Sequence, residues 1–133
     1  MVKIDVSKLR EIKRTLPGKF DDALRGAAEE IASDIKLSFN TGPGGRTYQR
    51  GNVNHVASQP GYPPNVDIGT LKNSIRAVRG NHQFEHFIVD GVEYGVYLEM
   101  GTERMKARPF FTPVMENWRN RKFASFLSDV GLL

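Results

Sequence analysis

The longest regular pattern in this chain lies in its first third. Phe20, Ala23, Leu24, Ala27, Ala28, Ile31, Ile35, Ser38 and Phe39 recur with a helical period over about five turns. Asp22, Arg25, Glu29 and Lys36 fall on the opposite face. Pro17 suits the opening of such a helix, and the early carboxylates of Asp21 and Asp22 complement its dipole. Asn40-Thr41-Gly42-Pro43 stops it. Upstream, Leu9, Ile12 and Leu16 are spaced three and four apart, which predicts a separate short helix over 5–16, interrupted by Pro17-Gly18.

Periodicity then vanishes. From Asn40 to Asp67 the chain holds five glycines and four prolines among polar residues. This stretch reads as a long Gly/Pro-rich loop, and such loops are functional or disordered more often than incidental. Tyr48, Val53, Val56 and Tyr62 give it scattered apolar anchors. It is read as an arm over 40–66, mobile on the isolated subunit and ordered by a partner.

Alternation follows. Asp67-Ile68-Gly69-Thr70-Leu71 reads as a turn, after which Ile75, Ala77 and Arg79 alternate with Arg76 and Val78. Asn81-His82 suits a hairpin turn, and Phe84-Glu85-His86-Phe87-Ile88-Val89-Asp90 has the aromatic and β-branched content of a strand. Tyr94, Tyr97 and Leu98 at i, i+3 and i+4, with Gly101 beyond, predict a short helix ended by a glycine, although Tyr94, Val96 and Leu98 also alternate as a strand would. Thr112 as cap and Pro113 open a C-terminal helix whose apolar face is Val114, Trp118, Phe123, Phe126, Leu127 and Val130. The expected fold is α+β: a long N-terminal helix and a C-terminal helix packed on a small antiparallel β-sheet, with a long Gly/Pro-rich loop. At 133 residues this is a single domain, 1–133.

Charge placement sharpens the picture. Between Asn40 and Gly80 five basic residues (Arg46, Arg50, Lys72, Arg76, Arg79) face one acid, Asp67. Between Arg104 and Lys122 six (Arg104, Lys106, Arg108, Arg119, Arg121, Lys122) face one, Glu116. The rest is net acidic, and the first helix carries Asp21, Asp22, Glu29, Glu30 and Asp34. Such segregation faces nucleic acid, pairs one copy with another head-to-tail, or is ordinary solvated surface. No apolar run approaches the roughly 20 residues of a membrane helix, so no membrane partner is expected. The N-terminus lacks the layout of a signal peptide. Without cysteine there are no disulfides or thiolate zinc sites.

Candidate chemistry is thin, and neither catalytic residues nor a cofactor is expected. Gly42-Pro43-Gly44-Gly45-Arg46-Thr47 lacks the Gly-Lys-Ser/Thr ending of a phosphate loop and follows a helix where a strand is required. His82 and His86 have only Glu85 and Asp90 nearby, too few for a metal centre, and His55 stands without local acidic company. Glu93, Glu99 and Glu103 are too widely spaced for a carboxylate pair. Glu99, between Leu98 and Met100, suits a cap, a pairing with Arg104 or Arg108, or a contact across a subunit boundary. The rival to a docking protein is a non-specific nucleic-acid binder using the basic segments 46–79 and 104–122, with Arg46, Arg50, Arg76, Arg79, Arg104 and Arg108 on phosphates. No recognition helix or known module motif accompanies them.

Two stretches carry a family likeness. Tyr94-Gly95-Val96-Tyr97-Leu98-Glu99-Met100-Gly101-Thr102, followed by Arg104-Met105-Lys106-Ala107-Arg108-Pro109-Phe110-Phe111-Thr112-Pro113, resembles the Tyr-Ala-x-Tyr-hydrophobic-Glu-aromatic-Gly-Thr … Ala-Arg-Pro-Phe-Leu-x-Pro signature of a tail-component family of long-tailed bacteriophages. These are tail-completion or head–tail joining (neck) proteins. Ala57-Ser58-Gln59-Pro60-Gly61-Tyr62-Pro63-Pro64, continuing to Gly69-Thr70-Leu71-Lys72-Asn73-Ser74-Ile75, resembles that family's Ser-x-Pro-Gly-x-Pro-Pro … Thr-Gly-x-Leu-x-x-Ser-Ile segment. With the preceding helix, the likeness covers nearly the whole chain. Gly95 stands for the usual alanine, Met100 for the aromatic, Phe111 for the leucine and Ile68 for the threonine.

The resemblance implies a non-enzymatic virion protein that forms a homo-oligomeric, sixfold ring in the neck or at the head-proximal end of the tail. It would assemble in the host cytoplasm. Its neighbours would be neck, head-completion and tail-tube or terminator proteins, with non-specific contact to passing DNA. The expected assembly contacts are Arg46, Tyr48, Arg50 and Tyr62 on the arm, and Glu99, Thr102, Glu103, Arg104, Lys106 and Arg108 on the signature.

Overall fold

A computed structural model describes residues 7–132 apart from Ile68. The start of the first expected helix, residues 5 and 6, lies outside the described residues, as does Ile68. The observed class is the expected α+β.

The first helix, α1 (Ser7–Ser38), is one element where two were expected, and Pro17 lies inside it. Proline leaves the carbonyl four residues earlier, that of Lys13, without a helical donor. Lys13 is exposed, so water can take that bond, and the helix continues. The phase of the long apolar stripe is as the sequence predicts: Ala23, Ala27, Ala28, Ile31, Ile35 and Phe39 are buried. The small side chains along it admit close neighbours, and Gly26 lies 3.5 Å, by its absent Cβ, from the ring of Phe126. Asn40 ends the helix with φ 64, a left-handed position that asparagine tolerates.

Residues 44–58 form a hairpin where an irregular loop was expected. Strands β1 (Gly44–Arg50) and β2 (Val53–Ser58) pair antiparallel, with Arg50 opposite Val53. Gly51, at φ 57, opens the two-residue turn, the place where a type II′ turn requires glycine. Helix α2 (Thr70–Ser74) follows, with Leu71 and then Ile75 entering the core. Strands β3 (Arg76–Arg79) and β4 (His86–Val89) pair antiparallel as expected, and this second sheet packs on α1. Their connection is longer than an Asn81-His82 turn, spans 80–85, and is closed by the Gly80 N–H to the Glu85 carbonyl. The expected single sheet is therefore two separate two-stranded sheets.

The short helix α3 (Tyr94–Met100) forms as predicted, with Gly101 after it. The C-terminal helix is continuous but irregular: α4 (Thr112–Asn117) runs through a π-helical turn (Trp118–Lys122) into α5 (Phe123–Asp129). The turn has a visible cause. Trp118 and Phe123 are five apart, too far for one α-helical face, and the wider π turn absorbs the extra residue. Trp118 is buried, while Val114, Phe123 and Phe126 pack against the core; Val130 is exposed. The core thus joins α1, α2, Phe110 and Trp118, with Phe39 and Phe110 rings 5.5 Å apart.

Candidate assembly surface

The expected contact residues fall into two groups: those consumed in holding the fold and those left facing outward. Glu99 belongs to the first. Its Oε2 accepts the N–H of Phe110 at 2.8 Å and of Phe111 at 3.0 Å, and Oε1 accepts that of Thr112 at 2.8 Å. These are orphan donors at the start of α4, so a carboxylate from α3 caps a helix whose own first residues supply no side-chain cap. Thr112, expected as the cap, is the first helical residue instead. Burial raises the Glu99 pKa, but hydrogen bonds from Thr112, Phe111 and Phe110 outweigh it and hold the carboxyl below its ordinary value of 4.5.

Arg108 is the second such residue. Its N–H donates to the Leu98 carbonyl at 2.6 Å, and its Nε donates to the Ser58 carbonyl at 3.2 Å. Beside it, Gly61 donates to the Ala107 carbonyl at 2.9 Å. The stretches 57–75 and 94–113 are thereby stitched together at the root of the hairpin. Asn40 fastens the same root from α1: its N–H donates to Pro64 and its Oδ1 accepts from the Val66 N–H at 2.7 Å. Between root and body lies a cleft of about 570 Å³, walled by Phe39, Leu71, Leu98 and Met105.

Thr102 folds the linker on itself. Its Oγ1 accepts from the Met105 N–H at 3.1 Å, and its N–H donates to the Met105 carbonyl at 2.8 Å. This turn carries Glu103, Arg104 and Lys106 outward, all exposed. On the hairpin Arg46 sits 5.3 Å from the Tyr48 ring centroid, an exposed cation–π pair. Tyr62 is exposed and its side chain lies on Gly42, where a Cβ would meet it at 2.6 Å. Arg50 ends β1; its side chain lies outside those described.

Helix α3 presents an exposed apolar surface. Met100 is 76% exposed, Val96 58% and Tyr97 48%, with Tyr94 similar. Helix α3 turns Gly95 and Leu98 inward. Spacing i, i+3 is satisfied by this pair as well as by Tyr94 and Tyr97, so period alone left the phase open. The signal was Gly95 itself, since a Cβ there would collide with the Asp90 carboxylate.

Basic residues proposed for phosphate contact are partly engaged. The Arg79 guanidinium pairs with Asp21, whose other oxygen lies 3.0 Å from His86 Nε2. Hydrogen bonds from His86 and then Arg79 hold the Asp21 carboxyl below its ordinary value of 3.8. This cluster ties α1 to β3 and β4. Arg76 reaches the Ser74 carbonyl. On the other end of α1, Asp34 accepts from Trp118 Nε1 at 2.8 Å and Lys122 Nζ at 2.6 Å.

Among the described residues no group of three or more His, Asp or Glu converges as metal ligands, and no helix is long and apolar enough to cross a membrane. His55 Nδ1 lies 3.8 Å from Asp67 Oδ1. Comparison with protein-family models, curated proteins and solved structures returns no match.

Proposed function

We propose that this chain is a non-enzymatic structural protein of a bacteriophage virion, forming a ring in the neck or at the head-proximal end of the tail and needed for tail completion or head–tail joining. The observation that carries the reading is the stitching of its two signature-like stretches. Gly61 bonds to Ala107 and Arg108 to Ser58, so the residues that carry the resemblance meet in one structural unit. That unit roots a projecting hairpin and presents an apolar α3 face, both suited to binding a neighbour. The partners are further copies of the chain and adjoining neck, head-completion, tail-tube or terminator proteins. The site of action is the virion, reached from the host cytoplasm.

The nucleic-acid reading is weaker. Of its six arginines, Arg76, Arg79 and Arg108 are engaged within the chain. Contact with passing DNA by Arg46 and Arg104 fits a lumen lining and requires no sequence reading.

The test is deletion of residues 44–58 in the phage that encodes the chain. The expected variant keeps the helical circular dichroism of the parent and yields unjoined heads and tails. Infectious particles at parental titre would overturn the role assigned to the hairpin.

A further inference from the structure

Helix α1 is longer than the body it packs on. Its buried side chains begin at Ala23. Residues 7–19, about 20 Å of helix at 1.5 Å per residue, contribute no buried side chain among those described. This stem is basic: Lys8, Arg10, Lys13, Arg14 and Lys19 stand against Glu11 alone. No carboxylate among the described residues pairs with Arg10, Lys13, Arg14 or Lys19. Cations at a helix N-terminus oppose its dipole, and no acidic side chain among the described residues compensates those of the stem. It is also amphipathic, with Leu9, Ile12 and Leu16 spaced for one face and Leu16 exposed.

The complementary surface is on α3. Residues 81–103 contain five acids and no lysine or arginine. Glu99 is spent on its cap, while Glu93 at one end of α3 and Glu103 beyond the other remain exposed. Between them lie Tyr94, Val96, Tyr97 and Met100. An acid-rimmed apolar face therefore matches a basic helix with an apolar stripe.

We infer that the α1 stem of one copy docks on the α3 face of the next. The contact is heterologous, since each copy offers one donor and one acceptor surface, and repetition closes a ring or grows a filament. The inference deepens the reading of the chain as a ring former and names the surfaces involved.

The experiment uses two surface variants of the full chain, Arg10→Gln/Arg14→Gln on the stem and Glu93→Lys/Met100→Lys on α3, so that the two altered surfaces do not complement each other. Each retains the partner surface that the other lacks. Sedimentation velocity at low salt, about 50 mM, where charge contacts are least screened, is expected to show wild type associating beyond a dimer. Each variant alone should associate at least about tenfold more weakly, with unchanged circular dichroism and melting temperature. An equimolar mixture should form a 1:1 dimer and stop there, because one end of each copy is blocked. A monomeric wild type, variants that associate like wild type, or a mixture that stays monomeric would overturn the contact. So would binding of duplex DNA by wild type but not by the stem variant, without self-association. The hairpin deletion leaves both surfaces intact, so failure of the virion reading and failure of this contact are separate results.

Discussion

The Glu99 carboxylate and the backbone of Phe110 are 2.8 Å apart, and that bond joins helix α3, with its exposed apolar face, to a fully buried aromatic side chain. Phe110 is fully buried against Phe39, so Glu99 fixes α3 relative to the core as well as starting α4. Docking on α3 would therefore be felt by the C-terminal helix through one side chain.

Replacing Glu99 tests this. Glu99→Ala strands three N–H groups that a charged acceptor now satisfies, and is expected to destabilise the fold by about 2–3 kcal/mol. Glu99→Gln keeps a neutral acceptor and should cost less, about 1–2 kcal/mol. Because the folded-state pKa of Glu99 lies below the ordinary 4.5, its contribution is present above that pH and is lost as pH falls through the folded value. Urea titrations between neutral pH and pH 3 should show parental stability falling in that window, with a shallower fall for Glu99→Gln.

Gly101 sits at φ 77 and ψ 172, a region open to glycine alone. A Cβ there would also meet the Ala107 nitrogen at 2.9 Å and the Met105 carbonyl at 3.0 Å. Gly101→Ala is expected to cost about 2–3 kcal/mol, read as a lowered thermal midpoint. Gly18→Ala, in open space on α1, should be neutral or slightly stabilising.

The π-helical turn makes a sharp prediction. Deleting exposed Asn120 removes the extra residue and brings Trp118 and Phe123 to i, i+4 spacing, so an ordinary α-helical turn keeps Phe123 and Phe126 on the face toward Trp118 and Gly26. Stability is expected to stay within about 1 kcal/mol of the parent because the packed aromatics keep their face, whereas a loss of about 3 kcal/mol, as for truncation of a packed aromatic, would contradict this account of the turn. Asn120→Ala leaves the turn and should change stability by less than about 0.5 kcal/mol. Chemical denaturation of the pair checks it.

Arg108→Ala removes the bond to the Ser58 carbonyl and should loosen the hairpin root locally, by about 1 kcal/mol. Amide exchange is the readout. The β1–β2 amides should exchange faster, whereas those of Ile31 and Ile35 in the middle of α1 should not change.

Much of the architecture was legible in the sequence. The α1 stripe was readable with its correct phase because it is long, and only one rotation buries so many apolar residues at once. The β3–β4 pair and the Gly101 stop followed from alternation and glycine chemistry. The hairpin at 44–58 was missed although Gly51-Asn52 between Thr47-Tyr48 and His55-Val56 is a two-residue turn signal; its glycine and proline content masked it. Pro17 was read as a break because propensity is local, whereas the helix on either side supports continuation.

The sequence by itself determined the class of fold, the period of each helix and the segregation of charge, since these depend only on residue type and spacing. Tertiary structure decided which face of α3 turns inward, that Glu99 and Arg108 serve their own chain, and that residues 7–19 extend beyond the core. The physical reason is that a period says which residues share a face, while the partner that face meets depends on volume and unmet hydrogen bonds contributed from elsewhere. Here the Asp90 carboxylate against Gly95 and the orphan N–H groups of Phe110, Phe111 and Thr112 accompany the inward turn of α3, and they leave Tyr97 and Met100 facing out.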